Sequence, residues 1–523
     1  TTGPVMTGGA VWGLIRAAAA EHPGRFALVD SDSDASGAWP AVAALLAAGE
    51  WQLAIRDGAV LVPRLAPVPA EADSAANTAD LRSGTVLITG GTGGLGALVA
   101  ERLVTGHGVR SLLLLSRSGP AAAGAPELVE RLARLGAEVV VEACDVANRR
   151  ALAEAIGDRQ LSAVVHAAGV TADAPVDRLS GYELGPVFGP KADAAWHLHE
   201  LTAGQPLAAF VLFSSVAGVL GNAGQGGYAA ANGFLDGLAE HRLANGLPAT
   251  SVAWGLWDVE TGMTGKLTPA DVARLGRSGL APLAAELGLA LFDQALTGSG
   301  RLVAAAWDAR SLRERAEDGQ LTPVLRGLTK ATRRAPRPAR ADETTGSAAE
   351  PVTQRGGLAE RLAGLAEDAA RELLSELIRA EVAAVLGFAD AEAISPAHAF
   401  SELGFDSLTV VDLRNRLDAT TGLRLPATLA FDYPTVTALL DHLMRTLAPR
   451  TASPEESLAV QLDGLERQAD PVVRGKLIAL LHSTLARLEA GPGSPDGAEQ
   501  LDVHEQIQSA SDDEIFAFID TQL

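Results

Sequence analysis

Residues 85–106, TVLITGGTGGLGALVAERLVTG, decide how this chain is read. The run from Thr85 to Thr89 is continuously apolar at its centre, as a strand buried on both faces would be. It passes straight into a turn carrying Gly90, Gly91, Thr92, Gly93, Gly94, Leu95 and Gly96, and then into ALVAERLVTG, a helical pattern. Glycines at such a turn let backbone amides approach a pyrophosphate closely, and the helix N-terminus adds partial positive charge. Working outward, strand-like runs recur at SLLLLSRSG (111–119), AEVVVEACDV (137–146), SAVVHAAGV (162–170), FVLFSS (210–215) and ATSVAWGLWDV (249–259). Strand and helix in alternation predict an α/β fold built on a doubly wound parallel sheet, a Rossmann sheet.

At 523 residues and 53.7 kDa the chain exceeds one core of roughly 250–300 residues, so several folded units are expected. Its 64 acidic against 42 basic residues argue against a nucleic-acid surface and suit neutral or carrier-bound substrates. The single cysteine, Cys144, excludes a disulfide framework and fits a reducing cytoplasm, where the protein is expected. No apolar run approaches the roughly 18–20 residues that span a bilayer, so no membrane partner is expected. No metal site is expected either. The opening, TTGPVMTGGAVWGL, reads as the middle of a domain, and residue 1 is taken as a cut in a longer polypeptide.

The chemistry concentrates in residues 210–232, FVLFSSVAGVLGNAGQGGYAAAN. The strand ends at Ser214 and Ser215, and a Gly-rich loop leads to Tyr228. Tyr228 opens a helical stretch, so Asn232 follows one turn on, along the same face. Hydroxyl, phenol and amide can thus converge at the carboxyl end of a sheet. For a phenol to protonate a developing alkoxide, a hydroxyl must hold that oxygen and a cation must lower the phenol's pKa. Lys191, in GPKADAAWHLHEL, is the candidate cation.

Together these residues resemble the catalytic centre of the short-chain dehydrogenase/reductase superfamily, in the form found in ketoreductase domains of modular (type I) polyketide synthases. Most of that superfamily has Tyr-x-x-x-Lys with an asparagine upstream. Here Asn232 takes the lysine's place and Lys191 the asparagine's, an exchange characteristic of polyketide and animal fatty acid synthase ketoreductases. The resemblance implies that Tyr228 donates the proton, Ser215 orients the carbonyl, Lys191 tunes the tyrosine, and Asn232 supports Lys191 and the proton relay. Thr89, Gly90, Gly94 and Gly96 fit the family's Thr-Gly-x-x-x-Gly-x-Gly form, with Gly91, Thr92, Gly93 and Leu95 completing the expected cofactor loop. The next strand ends in Ser116, Arg117 and Ser118, where NAD-binding sites carry an acid. An arginine attracts a ribose 2′-phosphate, so NADPH is the expected cofactor. Asp145 and Val146 are expected at the adenine, and Ala167, Ala168 and Gly169 beside the cofactor. The family places a mobile lid after the last of these strands, and Met263 is its candidate substrate contact.

Residues 1–80 resemble the latter half of the structural subdomain that precedes such reductases, a truncated Rossmann-like unit without evident chemistry, and 81–329 form the catalytic subdomain. Residues 330–357 mix Pro, Ala, Thr, Arg and Glu without an apolar period and read as a linker. From Leu358 helical periodicity returns, strongest at Leu374, Ile378, Val382 and Val385, and residues 358–448 resemble an acyl carrier protein, a small helical bundle. Ser407, in LGFDSL, is the expected 4′-phosphopantetheine attachment site. Residues 449–523 resemble a C-terminal docking domain: a dimerising helical pair and a last helix anchored by Ile515, Phe518 and Ile519.

The resemblance therefore implies NADPH-dependent reduction of the β-keto group of an acyl chain tethered to Ser407. The implied partners are a ketosynthase and an acyltransferase upstream, a downstream synthase subunit at the final helix, a second copy of the chain, and a phosphopantetheinyl transferase. Leu220 stands where reductases giving the L-alcohol carry a tryptophan, and Thr171-Ala172-Asp173 stands at the Leu-Asp-Asp loop of those giving the D-alcohol. The missing tryptophan and the retained Asp173 point to the D-alcohol, and Ala230, where epimerising members have proline, points to no α-epimerisation. The alternative is a redox-inactive or epimerising scaffold whose role is carrying and docking. Consumption of NADPH with a diketide thioester separates the two.

Overall fold

The computed structural model describes residues 5–32, 37–68, 80–259, 279–317, 319–329 and 358–447, apart from positions 364, 389, 406 and 427. The expected linker, Met263 with its lid, and the tail with Ile515, Phe518 and Ile519 lie outside the described residues.

The chain begins with α1 (Val5–Glu21), β1 (Leu28–Ser31), α2 (Trp39–Ala47), β2 (Gln52–Arg56) and β3 (Ala59–Leu61). β1 and β2 pair in parallel and β3 returns antiparallel, a remnant of a wound sheet closed by a small core of Val42, Leu53 and Ile55. Glu50, 5% exposed, ties this unit to the turn at Pro323–Gly327 by accepting from Arg64 (2.5 Å) and Arg326 (2.6 Å).

The main sheet and its helices follow as β4 (Thr85–Thr89), α3 (Gly94–His107), β5 (Ser111–Ser116), α4 (Ala125–Arg134), β6 (Glu138–Ala143), α5 (Arg149–Ile156) and β7 (Leu161–His166). The second half runs through α6 (Gly181–Phe188), α7 (Ala194–Thr202), β8 (Ala209–Ser215), α8 (Val216–Leu220), α9 (Gly226–Ala244), β9 (Thr250–Trp254), α10 (Ala285–Thr297) and β10 (Gly300–Ala304). All pairings in this sheet are parallel, in the order β10-β9-β8-β7-β4-β5-β6. The order in which strands are added reverses between β4 and β7, the crevice where such sheets bind ligands.

Burial on both faces explains the unbroken apolar runs. In β5, Leu112 and Leu114 join a layer beneath α3, α4 and α10, while Leu113 and Leu115 join the opposite layer beneath α5, α7 and α9. The β4–α3 turn is equally constrained: a Cβ on Gly96 would stand 2.2 Å from the Gly90 carbonyl oxygen, and Gly90 itself takes φ 68°. β10, which the sequence pattern did not single out, adds the seventh strand beside β9.

α1 does not join the small core of its own unit but lies along α9. The two backbones meet directly, because a Cβ on Gly9 would stand 2.2 Å from the Gly233 carbonyl oxygen and one on Gly13 2.1 Å from that of Ala229.

The carrier region contains α11 (Glu367–Leu386), α12 (Ser407–Thr421) and α13 (Val436–Leu447), with short helices at Leu358–Ala363 and Leu429–Asp432. The predicted stripe, Leu374, Ile378, Val382 and Val385, packs against Leu413, Leu417, Leu439 and Leu443 in a core of its own. α12 carries Arg414 and Asn415, which donate to the Glu21 and Ala20 carbonyls at the end of α1, the latter at 3.0 Å. No described helix is long and apolar enough to cross a membrane. No metal-ligating cluster occurs among the described residues.

Candidate active site

Four side chains from three elements meet at the carboxyl end of β8. Ser215 ends that strand and caps α8, its hydroxyl accepting from the Ala217 amide at 3.2 Å. Tyr228 sits in the first turn of α9, 9% exposed. Asn232, one turn on, donates Nδ2 to the Tyr228 carbonyl at 2.8 Å, while its Oδ1 is buried without a hydrogen-bond partner among the described residues. Lys191 arrives from a π-helical turn, Gly189–Asp193, inserted between α6 and α7. Such turns push one residue out of the α-helical register. Its buried ammonium donates to the Phe213 carbonyl at 2.9 Å and lies 5.1 Å from the centre of the Tyr228 ring. A Cβ on Gly169 would stand 3.2 Å from Nζ, so Lys191 lies between the β7 loop and the phenol.

The π-helical turn is held from beneath by His166, which the sequence reading missed. Its Nε2 donates to the Lys191 carbonyl at 2.8 Å, leaving Nδ1 to accept from the Thr89 hydroxyl at 2.7 Å. Thr89 Oγ1 accepts in turn from the Ala168 amide at 3.2 Å. Burial pushes the imidazole pKa down to about 3, against the raising effect of its bond to Lys191, and so keeps the ring neutral. Only the sequence separations, 77 and 25 residues, hid this relay.

Burial also sets the charges of the acid and the cation. It raises the Tyr228 pKa above the ordinary phenol value, Ser215 and Asn232 oppose that rise, and the charge of Asp173 adds to it. It lowers the Lys191 pKa to about 8, offset in part by Asp236, whose buried carboxylate accepts from the Ser251 hydroxyl at 2.6 Å. Near neutral pH a protonated phenol and a charged ammonium therefore coexist.

A cavity of about 230 Å³ opens at the ends of β4, β5, β6 and β7. Gly90, Thr92, Gly93, Ser116, Arg117, Ser118, Asp145, Val146, Ala168 and Gly169, all among the expected cofactor residues, line it together with others that include Cys144 and Pro190, which were not among them. The other expected cofactor residues stand behind this wall. Thr89 serves the relay to Lys191, Gly91 lets the turn pack on Leu114, Gly94 begins α3 and Gly96 closes the turn, while Leu95 and Ala167 pack into a core layer. The cavity suits a dinucleotide: the N-cap of α3 is Gly93, which has no side chain to satisfy the first-turn amides, and Arg117 supplies positive charge at the end of β5.

Beyond Tyr228, the Asp173 carboxylate accepts from Gln225 Nε2 at 3.1 Å, joining the loop after β7 to the turn before α9. Leu220, at the end of α8, packs with Leu312, Leu321, Val324 and Leu325. Ser407 begins α12.

Such a cleft, with an ammonium behind its Gly169 wall and a phenol beyond that ammonium, is that of a dinucleotide-dependent carbonyl reductase. Comparison with known proteins carries this further. Residues 84–259 match the family described as KR domain, residues 2–65 the polyketide synthase extender module SpnB, Rossmann fold domain, and residues 376–443 the phosphopantetheine attachment site. The chain is 46% identical over 461 residues to polyketide synthase GfsE of Streptomyces halstedii, covering 87% of this chain and 12% of that one. It is 43% identical over 520 residues to spectinabilin polyketide synthase system protein NorA of Streptomyces orinoci, covering 98% and 25%. A solved structure titled "Structure of A-type Ketoreductases from Modular Polyketide Synthase" matches at 42% identity and TM-score 0.55, covering 61% of this chain and 68% of that one. "The first ketoreductase of the tylosin PKS" matches at 40% identity and TM-score 0.54, covering 61% and 70%. The chain belongs to the modular type I polyketide synthases, as a ketoreductase followed by an acyl carrier region. It spans 12% to 25% of the length of the two synthases just named. Its enzyme is a β-ketoacyl reductase that acts on a carrier-bound intermediate, with NADPH as cofactor and phosphopantetheine bound covalently to the carrier.

Proposed function

We propose that the chain reduces a β-keto polyketide intermediate to the D-configured β-alcohol without α-epimerisation. The observation that carries this reading is Lys191, held between Gly169 on the cofactor side and the ring of Tyr228. Tyr228 gives its proton to the carbonyl oxygen, which the Ser215 hydroxyl holds, and Lys191 favours the phenolate that forms. Asn232 Oδ1 is left to hold the water that returns a proton to the site. When bound, NADPH supplies the hydride. Arg117, with no acid at the end of β5, favours the 2′-phosphate of NADPH over the bare ribose of NADH.

Stereocontrol falls to the Asp173 loop, tied to Gln225 beside the proton donor, and Leu220 leaves the tryptophan position unfilled. Ser407 carries the phosphopantetheine arm at the start of α12, so that the ketone meets the reductase at high local concentration. The domain limits follow the sequence: structural subdomain to 80, catalytic subdomain 81–329, linker to 357, carrier to 448, docking segment beyond. Within a cytoplasmic assembly, a ketosynthase and an acyltransferase precede this region, a phosphopantetheinyl transferase primes it, and a dimeric tail passes the product to the next subunit through Ile515, Phe518 and Ile519. The test is NADPH consumption with a racemic 2-methyl-3-ketoacyl thioester, followed by chiral chromatography. A predominantly L-alcohol product refutes the stereochemical assignment, and no consumption refutes the reductive one.

A further inference from the structure

Glu21 ends α1, and nothing in its own small unit explains it. A carboxylate in the last turn of a helix faces the negative end of the helix dipole, and this one is also only 1% exposed. Buried charge persists where hydrogen bonds satisfy it. Both oxygens of Glu21 are satisfied by the catalytic subdomain: Oε2 accepts from the Val176 amide at 2.7 Å and Oε1 from the Gly224 amide at 2.9 Å.

Val176 follows the Asp173 loop, and Gly224 lies in the turn that leads into α9 and Tyr228. The two segments are also joined to each other, by the Ala174 amide donating to the Gly224 carbonyl at 2.8 Å and by Gln225 on Asp173. One carboxylate therefore sets the spacing of two loops, through a pair of charge-assisted bonds. Neither Val176 nor Gly224 lines the cofactor cavity.

We propose that Glu21 is a positioning residue of the reductase: holding the backbone at Val176 and Gly224, it fixes the wall along which the ketone lies and hence the face offered to hydride. It touches neither the substrate nor the cofactor. The inference rests on the reading that Asp173 and Tyr228 flank the bound ketone, and it gives the structural subdomain a part in selectivity beyond support.

The test compares the full chain with Glu21→Gln, which is isosteric and keeps one accepting oxygen, and Glu21→Ala, which keeps none. The substrate is a racemic 2-methyl-3-ketoacyl thioester. The ratio of favoured to disfavoured alcohol should fall about tenfold or more in Glu21→Ala, with Glu21→Gln between, while NADPH affinity stays within about twofold. If Glu21→Ala fails to fold, Glu21→Gln decides alone. An unchanged product ratio in Glu21→Gln overturns the proposal, as does a loss of activity that only follows a loss of NADPH binding. Tyr228→Phe, run in parallel, separates the two levels: turnover surviving that change defeats the active-site reading itself, whereas its loss beside an unchanged ratio in Glu21→Gln defeats only the role of Glu21.

Discussion

Replacing Lys191 by methionine would remove the ammonium while keeping an unbranched chain of similar bulk. The cation lies 5.1 Å from the centre of the Tyr228 ring. If the phenolate charge formed at about that separation, an effective dielectric constant of about 20 would favour it by about 3 kcal/mol, roughly a two-hundredfold effect on phenol ionisation. If about half of that is expressed in the proton-transfer transition state, kcat/KM falls about 15-fold, and if all of it is, about 200-fold. Stability should change little, because losing the bond to the Phe213 carbonyl is set against no longer burying an ammonium. The pH profile gives a second readout. Burial places the Lys191 pKa at about 8, so the cation is present below that pH and is lost as pH rises through it. The natural chain should therefore show a falling limb of kcat/KM near pH 8, and Lys191→Met should not. NADPH absorbance with a diketide thioester, measured across pH beside cofactor titration, supplies both. A loss in kcat/KM of less than about threefold, or a limb near pH 8 that survives in the variant, refutes the role given to Lys191.

Tyr228→Phe should abolish reduction while NADPH still binds, since only the proton donor is lost; single-turnover absorbance and a cofactor titration show this together. Arg117→Glu should raise the KM for NADPH about tenfold or more and narrow its advantage over NADH, by placing negative charge where the 2′-phosphate is expected. Ser407→Ala should leave turnover of free thioesters unchanged while blocking the phosphopantetheine mass shift, which intact-protein mass spectrometry reads directly.

What was legible in the sequence was local. The strand, turn and helix from Thr85 to His107 lie in one stretch, and Ser215, Tyr228 and Asn232 fall within 18 residues, so pattern and periodicity were enough to place them. Lys191 was a different case: its place depends on a π-helical turn that no periodicity announces, so the chemistry asked for a cation and resemblance, not pattern, gave this one its role. His166 and Glu21 escaped because their partners are distant in the chain, 155 and 203 residues away for Glu21. β10 escaped because GRLVA is short and its register is fixed by β9, 50 residues earlier, where Gly300 pairs with Thr250. The cofactor loop was read as one set of ligands, yet Thr89 and Gly96 hold the turn from behind while Gly90 and Gly93 face the cavity.

The glycine contact between α1 and α9 bears on how reductases can be exchanged between assembly lines. Two helices that touch backbone to backbone tolerate no mismatch: a methyl group at Gly9 or Gly13 would collide with a carbonyl that belongs to the helix bearing Tyr228. A graft cut between β3 and β4, where the two subdomains look separable, would set the host's α1 against the donor's α9. Unless both parents carry the same small residues at these crossings, the hybrid's proton donor shifts with its helix. A recombination point placed ahead of Val5 moves α1, its glycines and Glu21 together with the catalytic subdomain, and is the junction that should yield active chimeras.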